Sequence, residues 1–257
     1  MTRIAIALVR PAKLDFDRLR SLAEQFHLDG EQVEAENAIA INGRSGAVVH
    51  GQPTNRMGGV TTAVDLTRGI ATSEGEPLKA DAAASMTTEL LERHGLGAAG
   101  LRSEFQLDWR IDAQTTEAVT FDGKERRRHP VKTDVRARVF LDELPVSGPR
   151  AGASLTFADS DVPLRMMVMS WASLERYGER ELIEKDEILS ELLSAAKHRN
   201  GRTDGLEVRS ADLAFWAAPY AGGADLLEPS WFVEVEHTDT DTEGDAPKQL
   251  LRLPATR

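Results

Sequence analysis

Six histidines stand at positions 27, 50, 94, 129, 198 and 237. None forms an HxH, HxxxH or HExxH pair, so a zinc site would need ligands converging from distant parts of the chain. His27, His94 and His198 each fall at the end of a helical pattern, where an imidazolium is favoured by the helix dipole. That structural role is the plainer reading. Cysteine is absent, which removes thiol nucleophiles, disulfides and cysteine-ligated metals. No Gly-x-Ser-x-Gly elbow, GxGxxG turn or phosphate loop occurs. Asp239, Asp241, Glu243 and Gly244 fall at the first, third, fifth and sixth places of a calcium loop, but the twelfth is Leu250 instead of a bidentate glutamate. Strand patterns flank this stretch, so it reads as an acidic hairpin loop. No metal and no cofactor are expected.

The remaining candidate chemistry lies in charged and methionine-bearing strands. Glu104, Gln106, Asp108 and Arg110 alternate with apolar residues in one segment, and Lys132, Asp134, Arg136 and Arg138 do so in another. Paired, the two segments would carry a charged ladder on one face of a sheet. Exposed to water it is a solvated surface. In a cleft it would orient an anionic or carbonyl ligand, or serve acid–base chemistry. Residues 162–171 are apolar on both alternating faces, with Leu164, Met166 and Val168 on one and Met167, Met169 and Trp171 on the other. Residues 213–217 show the same two-faced pattern. A sheet with one wet face alternates cleanly, so something covers the second face here: another part of the chain, a twin subunit or an apolar ligand. Guanidinium groups beside adaptable methionines suit an amphipathic ligand. The candidate ligand site is therefore Arg110, Arg136, Arg138, Met167, Met169 and Trp171, with no catalytic residue assigned. Arg126-Arg127-Arg128-His129, just past Asp122-Gly123-Lys124, reads as a solvated hairpin tip, with a cationic arm for an acidic partner as the alternative.

The elements that must position these residues follow from periodicity. Asp15 opens a helix bearing Phe16, Leu19, Leu22, Ala23 and Phe26, which Asp29-Gly30 stops. Residues 38–41 and 47–49 flank an Asn42-Gly43 turn and predict a hairpin. Residues 52–59 read as loop, 60–66 as a strand and 67–77 as polar linker. A second helix starts at Asp81 and ends at Gly95. Strands are predicted over 104–112, 131–141, 153–158 and 162–171, with a Pro- and Gly-rich connection at 145–152. A third helix covers 186–197, and strands follow at 206–218, 230–236 and 249–254. The pattern "helix, then antiparallel meander" recurs three times. It predicts an α+β fold of tandem units, each one helix packed on a curved meander, with boundaries at 1–76, 77–178 and 179–257.

The chain has 257 residues, 41% hydrophobic and 28% charged, with 31 Lys and Arg against 42 Asp and Glu. The resulting charge of −11 argues against nucleic acid as a partner. The apolar run 4–9 is far short of the ~18–20 residues of a membrane span and is closed by Arg10-Pro11, so it reads as a first buried strand rather than a signal peptide. The expected location is the cytoplasm, or outside it if a leader has been removed.

Three stretches carry a family resemblance. The second helix ends Glu92-Arg93-His94-Gly95-Leu96. A strand runs through Val135-Arg136-Ala137-Arg138-Val139-Phe140-Leu141 into Asp142-Glu143-Leu144-Pro145-Val146-Ser147-Gly148-Pro149. A late strand opens Leu227-Glu228-Pro229-Ser230-Trp231-Phe232-Val233 and precedes Leu253-Pro254-Ala255. Together they resemble the PepSY superfamily, and in particular tandem PepSY-like chains similar to extracytoplasmic accessory regulators of Gram-positive histidine kinases. Glu143 stands where that pattern carries Gly. The resemblance implies non-catalytic binding and inhibition, of peptidases or membrane kinases. With the residue pattern, the expectation is a non-enzymatic binding or regulatory module for a protein, a peptide or an amphipathic ligand, with a homodimer possible. The alternative is a cofactor-independent enzyme, of cyclase or isomerase type, that shapes an apolar substrate in a curved-sheet pocket.

Overall fold

The computed structural model describes residues 2–13, 15–51, 56–61, 64–65, 70–71, 75–122, 125–149, 151–200, 206–218, 225–237 and 248–257. Along these residues run β1 (Arg3–Pro11), α1 (Phe16–Gln25), β2 (Gly30–Ala35), β3 (Ala38–Gly43), β4 (Gly46–Gly51), β5 (Arg56–Thr61), β6 (Val64–Asp65), β7 (Ile70–Ala71) and α2 (Ala80–Arg93). The second half supplies β8 (Arg102–Ser103), β9 (Leu107–Asp122), β10 (Glu125–Leu141), β11 (Leu144–Ser147), β12 (Ala153–Phe157), β13 (Pro163–Met169) and β14 (Trp171–Glu181). It closes with α3 (Lys185–Asn200), β15 (Leu206–Trp216), β16 (Asp225–His237) and β17 (Lys248–Pro254). No helix among them is long and apolar enough to cross a membrane.

The expected α+β fold of tandem helix-on-meander units is overturned. The protein is mostly β, 60% strand against 19% helix, and one mixed sheet takes in fifteen of the described strands. Its order is β2-β3-β4-β5-β13-β12-β10-β11-β15-β16-β1-β14-β8, with β9 on β10 and β17 on β16. The physical reason lies at the strand edges. A meander that stopped at its own last strand would leave a row of unpaired N–H and C=O groups. Here β5 meets β13 through Arg56↔Met169 to Val60↔Arg165. The first strand, β1, runs between β14 and β16, pairing antiparallel with both. Parallel pairing occurs at β11/β15 and β14/β8. A second departure is β5, whose Arg56–Gly59 stretch falls in the segment 52–59 expected to be loop.

Helix α1 forms where predicted, because the Asp15 carboxylate accepts from the backbone N–H groups of Asp17 and Arg18. Its Leu19, Leu22 and Ala23 are buried. Helix α2 is capped differently from expectation: Lys79 is the cap residue and offers no side-chain bond, while Asp81 lies in the first turn, where a negative charge suits the dipole. Gly95 takes φ +58 after its end, as a left-handed stop requires.

Three buried clusters hold the fold. The first seats α1 and α2 on one face of the β3–β4–β5–β13–β12–β10 region, with Leu22, Phe26, Leu90 and Leu91 against Ile41, Val48, Leu155 and Met166. The second lies where β1, β10, β14 and β15 converge and holds Val9, Val139, Leu141, Met169, Trp171, Phe215 and Leu227. The third packs Ile188 of α3 on Trp231, Val233 and Val235. Both two-faced stretches are covered within the chain for the most part, with Met167 left half-buried on the open face. Met166 and Val168 face the helices while Met169 and Trp171 sit in the second cluster, and Phe215 and Ala217 are buried there too.

Candidate functional site

Because Val135, Ala137, Leu155 and Met166 point to the helices, alternation sends Arg136, Arg138, Ser154, Thr156, Arg165 and Met167 to the opposite face of the sheet. No helix among the described residues packs there. The pairing of β9 with β10 sets Arg110 opposite Arg138, Asp112 opposite Arg136 and Gln114 opposite Asp134. On the other side, β12 sets Ser154 beside Arg136 and Thr156 beside Asp134, and β13 sets Met167 beside Ser154 and Arg165 beside Thr156. The charged ladder forms with a shifted partner set, Arg110, Asp112, Gln114 and Thr116 opposite Arg138, Arg136, Asp134 and Lys132, since Glu104 and Gln106 fall before β9. A half-open basin of about 870 Å³ lies over it. Thr116, Lys132, Asp134, Arg136, Arg138, Ser154, Thr156 and Arg165 are among the residues lining it.

The charges in the basin are unequally matched. Asp134 is saturated: it accepts from Thr156 Oγ1 at 2.8 Å and Thr116 Oγ1 at 3.0 Å, and pairs with Lys132 Nζ at 3.0 Å. Asp112 pairs with Arg138. That leaves Arg136 and Arg165, exposed and with no carboxylate partner among the described residues. Arg165 makes only a contact with Met167 Sδ, at 3.3 Å. Arg56, opposite Met169 in register, adds a third guanidinium on this face. Its Nε is buried without a partner. Burial first, and then the charge of Arg165, hold it below the usual arginine range. An anion bound here would relieve both.

Of the six residues proposed from sequence, four are open on this face. Arg136 and Arg138 line the basin, and Met167 borders it beside Ser154. Arg110 lies at its rim, bound to Asp108 at 3.1 Å with its guanidinium 3.8 Å from the Phe140 ring centroid. Met169 and Trp171 are 3% and 6% exposed, inside the second cluster. Sequence reasoning missed Arg165 and Arg56; the signal for Arg165 was its place between Leu164 and Met166, facing the same way as Met167. Arg126, Arg128 and His129 are exposed along β10, with Arg128 3.8 Å from Glu117. The adjoining tip at 123–124 and the acidic loop at 238–245 lie outside the described residues.

A Ser–His contact occurs elsewhere. His50 Nε2 and Ser170 Oγ are 3.0 Å apart, a spacing that in a cleft would suggest nucleophilic catalysis. Yet His50 is 0% and Ser170 2% exposed, so no substrate reaches them. Burial first, then Arg18, lowers His50 to about 4 against a smaller opposing pull from Asp15. The neutral imidazole ties β4 to the link between β13 and β14. No cluster of three potential metal ligands occurs among the described residues.

No protein-family model matches the chain, and no curated protein matches it. Nine chains among solved structures do. One is an uncharacterized protein from Eubacterium rectale ATCC 33656, solved as a crystal structure at 1.45 Å resolution. It is 11% identical, with a TM-score of 0.60 over 97% of this chain and 83% of that one. At that identity the likeness concerns the fold alone.

Proposed function

We propose that this chain is a non-enzymatic binding module that takes the anionic part of its ligand into the basin on the open face of the sheet. The observation that carries this reading is the pair Arg136 and Arg165. They are two guanidinium groups without carboxylate partners among the described residues, on either side of β12, in a chain of net charge −11. Guanidinium groups recognise carboxylate and phosphate through paired N–H donors. Ser154 lies opposite Arg136 in register, one row from Arg165, and offers a hydroxyl. The basin is polar and half open, which suits recognition better than an enclosed pocket shaping an apolar substrate. The buried state of His50 and Ser170 supports the same choice. The resemblance to PepSY-like regulators implies the same kind of work, binding and inhibition of a protein or peptide.

The test uses inorganic phosphate and succinate as probes, titrated by calorimetry at low ionic strength. The parent should bind at least one of them saturably. Arg136→Gln and Arg165→Gln should each weaken binding roughly tenfold or more, as expected for loss of a charge-assisted contact of about 1.5–3 kcal/mol. Folded variants that bind like the parent would place the site elsewhere.

A further inference from the structure

The basin is one end of a longer track. Direct register pairs run without a break across eight strands on the open face: Val33↔Ala40, Ala40↔Val49, Val49↔Gly58, Gly58↔Met167, Met167↔Ser154, Ser154↔Arg136 and Arg136↔Asp112. The row is charged at β9 and β10 and apolar from β13 to β2. Val33 and Val49 are 44% and 43% exposed, two of the few large apolar side chains so open to solvent among the described residues. Neighbours on the same face are small: Ala35 and Ala38 pair beside Val33, and Ala47 lies two residues before Val49 on β4. An apolar row open to solvent, bordered by Glu31 and Asn42 on one side and leading to cations without carboxylate partners among the described residues, is more than an ordinary solvated sheet surface presents.

Resting on the reading of the basin as an anion seat, we infer that this row docks an acidic amphipathic helix of a partner protein. Its apolar stripe covers Val33, Ala40, Val49, Gly58 and Met167, and its acidic end meets Arg136 and Arg165. Three arguments select that occupant. The first is depth. A small ligand needs most of its surface enclosed, whereas the β2–β4 part of this face lies open, with Val33 and Val49 largely exposed, and suits an element that brings its own layer. The second is direction and length. The row crosses the strands, so an added strand at the β2 edge would touch only its end. From Val33 on β2 to Arg136 on β10 there are six interstrand steps, about 29 Å, which a helix of about 19 residues spans. The third is charge: on this face the β2–β4 part of the row carries no cation among the described residues, whereas Arg56, Arg165 and Arg136 gather from β5 to β10, and Arg136 and Arg165 lack carboxylate partners among those residues. Small residues at Ala40 and Gly58 let a helix backbone approach closely, as α1 does on the opposite face, where Gly59 meets Phe26.

The experiment titrates the full chain with three synthetic peptides of 20 residues. The first has leucines at helical spacing and glutamates in one terminal turn. The second has lysine for each glutamate, and the third has serine for each leucine. The protein carries −11, so bulk charge alone favours the lysine peptide. The expected order is the reverse, with the glutamate peptide at least tenfold tighter than either control. The double variant Val33→Thr/Val49→Thr keeps shape and strand propensity. It should weaken the glutamate peptide about fivefold by removing apolar contact, and leave phosphate or succinate binding unchanged. Arg136→Gln should weaken both. A preference for the lysine peptide, or indifference of the glutamate peptide to the valine pair, overturns the helix track while the anion seat stands. Loss of the phosphate response to Arg136→Gln overturns the seat itself, and the two failures are therefore distinct. A dimer in light scattering that Val33→Thr/Val49→Thr splits makes a second copy the occupant and also overturns the helix.

Discussion

Protonating His50 puts a charge into a site shut off from solvent, with Arg18 near enough to oppose it. The group is lowered from about 6.5 in the unfolded chain to about 4 in the native one. A base held below its unfolded value weakens the fold as the unfolded state begins to bind the proton. Its contribution is therefore fully present above about pH 6.5 and is lost progressively towards pH 4, a change of about 3 kcal/mol. His94 is lowered as well, first by burial and then by Arg93 and Arg18, and pushes in the same direction. Urea unfolding at pH 7 and pH 4.5 measures the sum. His50→Gln should show a clearly smaller fall between the two than the parent, even if it begins less stable. An equal fall would assign the acid sensitivity to other groups. Arg136 and Arg165 belong to the same scale and show why residue type alone does not mark a site. Arg138 is the same residue type two positions from Arg136, yet its charge is already answered by Asp112.

At the scale of elements, the seat depends on how closely α1 lies on the sheet, since the helices fix which face is left open. Gly59 on β5 makes that approach possible. A Cβ there would come 2.7 Å from Val48 Cγ1 and 3.0 Å from two atoms of the Phe26 ring. Gly59→Ala should therefore push α1 off β4 and β5 and cost about 1–3 kcal/mol, as overpacking of a filled core does. A thermal melt of this variant at or above the parent's temperature would mean the ring yields freely and the contact is loose. The turn between β10 and β11 shows a local compromise of a different kind. Asp142 and Glu143 both take positive φ, 47° and 71°, where glycine is the unstrained choice. Asp142 is held there by accepting from the Gln106 backbone N–H at 2.8 Å and by pairing with Arg176.

For the molecule as a whole, β1 has the least local role of any strand. It pairs along its length with β14, through Arg3↔Glu181 to Pro11↔Trp171, and at Ala7–Val9 with β16. Its Ala7 and Val9 lie in the second cluster beside Trp171, Leu174 and Leu227. The first strand is thus the seam between the middle and the end of the chain. Deleting residues 3–11 should abolish cooperative unfolding and near-ultraviolet dichroism rather than remove one strand's share of stability, because β14 and β16 each lose a partner at once and the second cluster loses Ala7 and Val9. A truncated chain that still melts in a single sharp transition would show that β14 and β16 can close on each other.

What the sequence determined by itself was everything carried by short-range period. It marked α1 through Asp15 and its apolar spacing, the Asn42-Gly43 turn, the alternation of 104–112 and 131–141, and hence which face of β9 and β10 carries Arg110, Arg136 and Arg138. Strand β2 escaped notice because it is exposed along its whole length, so no alternation of apolar and polar residues announces it. Only the tertiary structure decided that β5 joins β13, that β1 enters between β14 and β16, and that Met169 and Trp171 are covered while Met167 is not. It also decided that His50 meets Ser170 across 120 positions. The reason is that backbone N–H and C=O groups are alike in every strand. Pairing between distant strands is settled by which edges and apolar faces remain to be satisfied once the whole chain has collapsed.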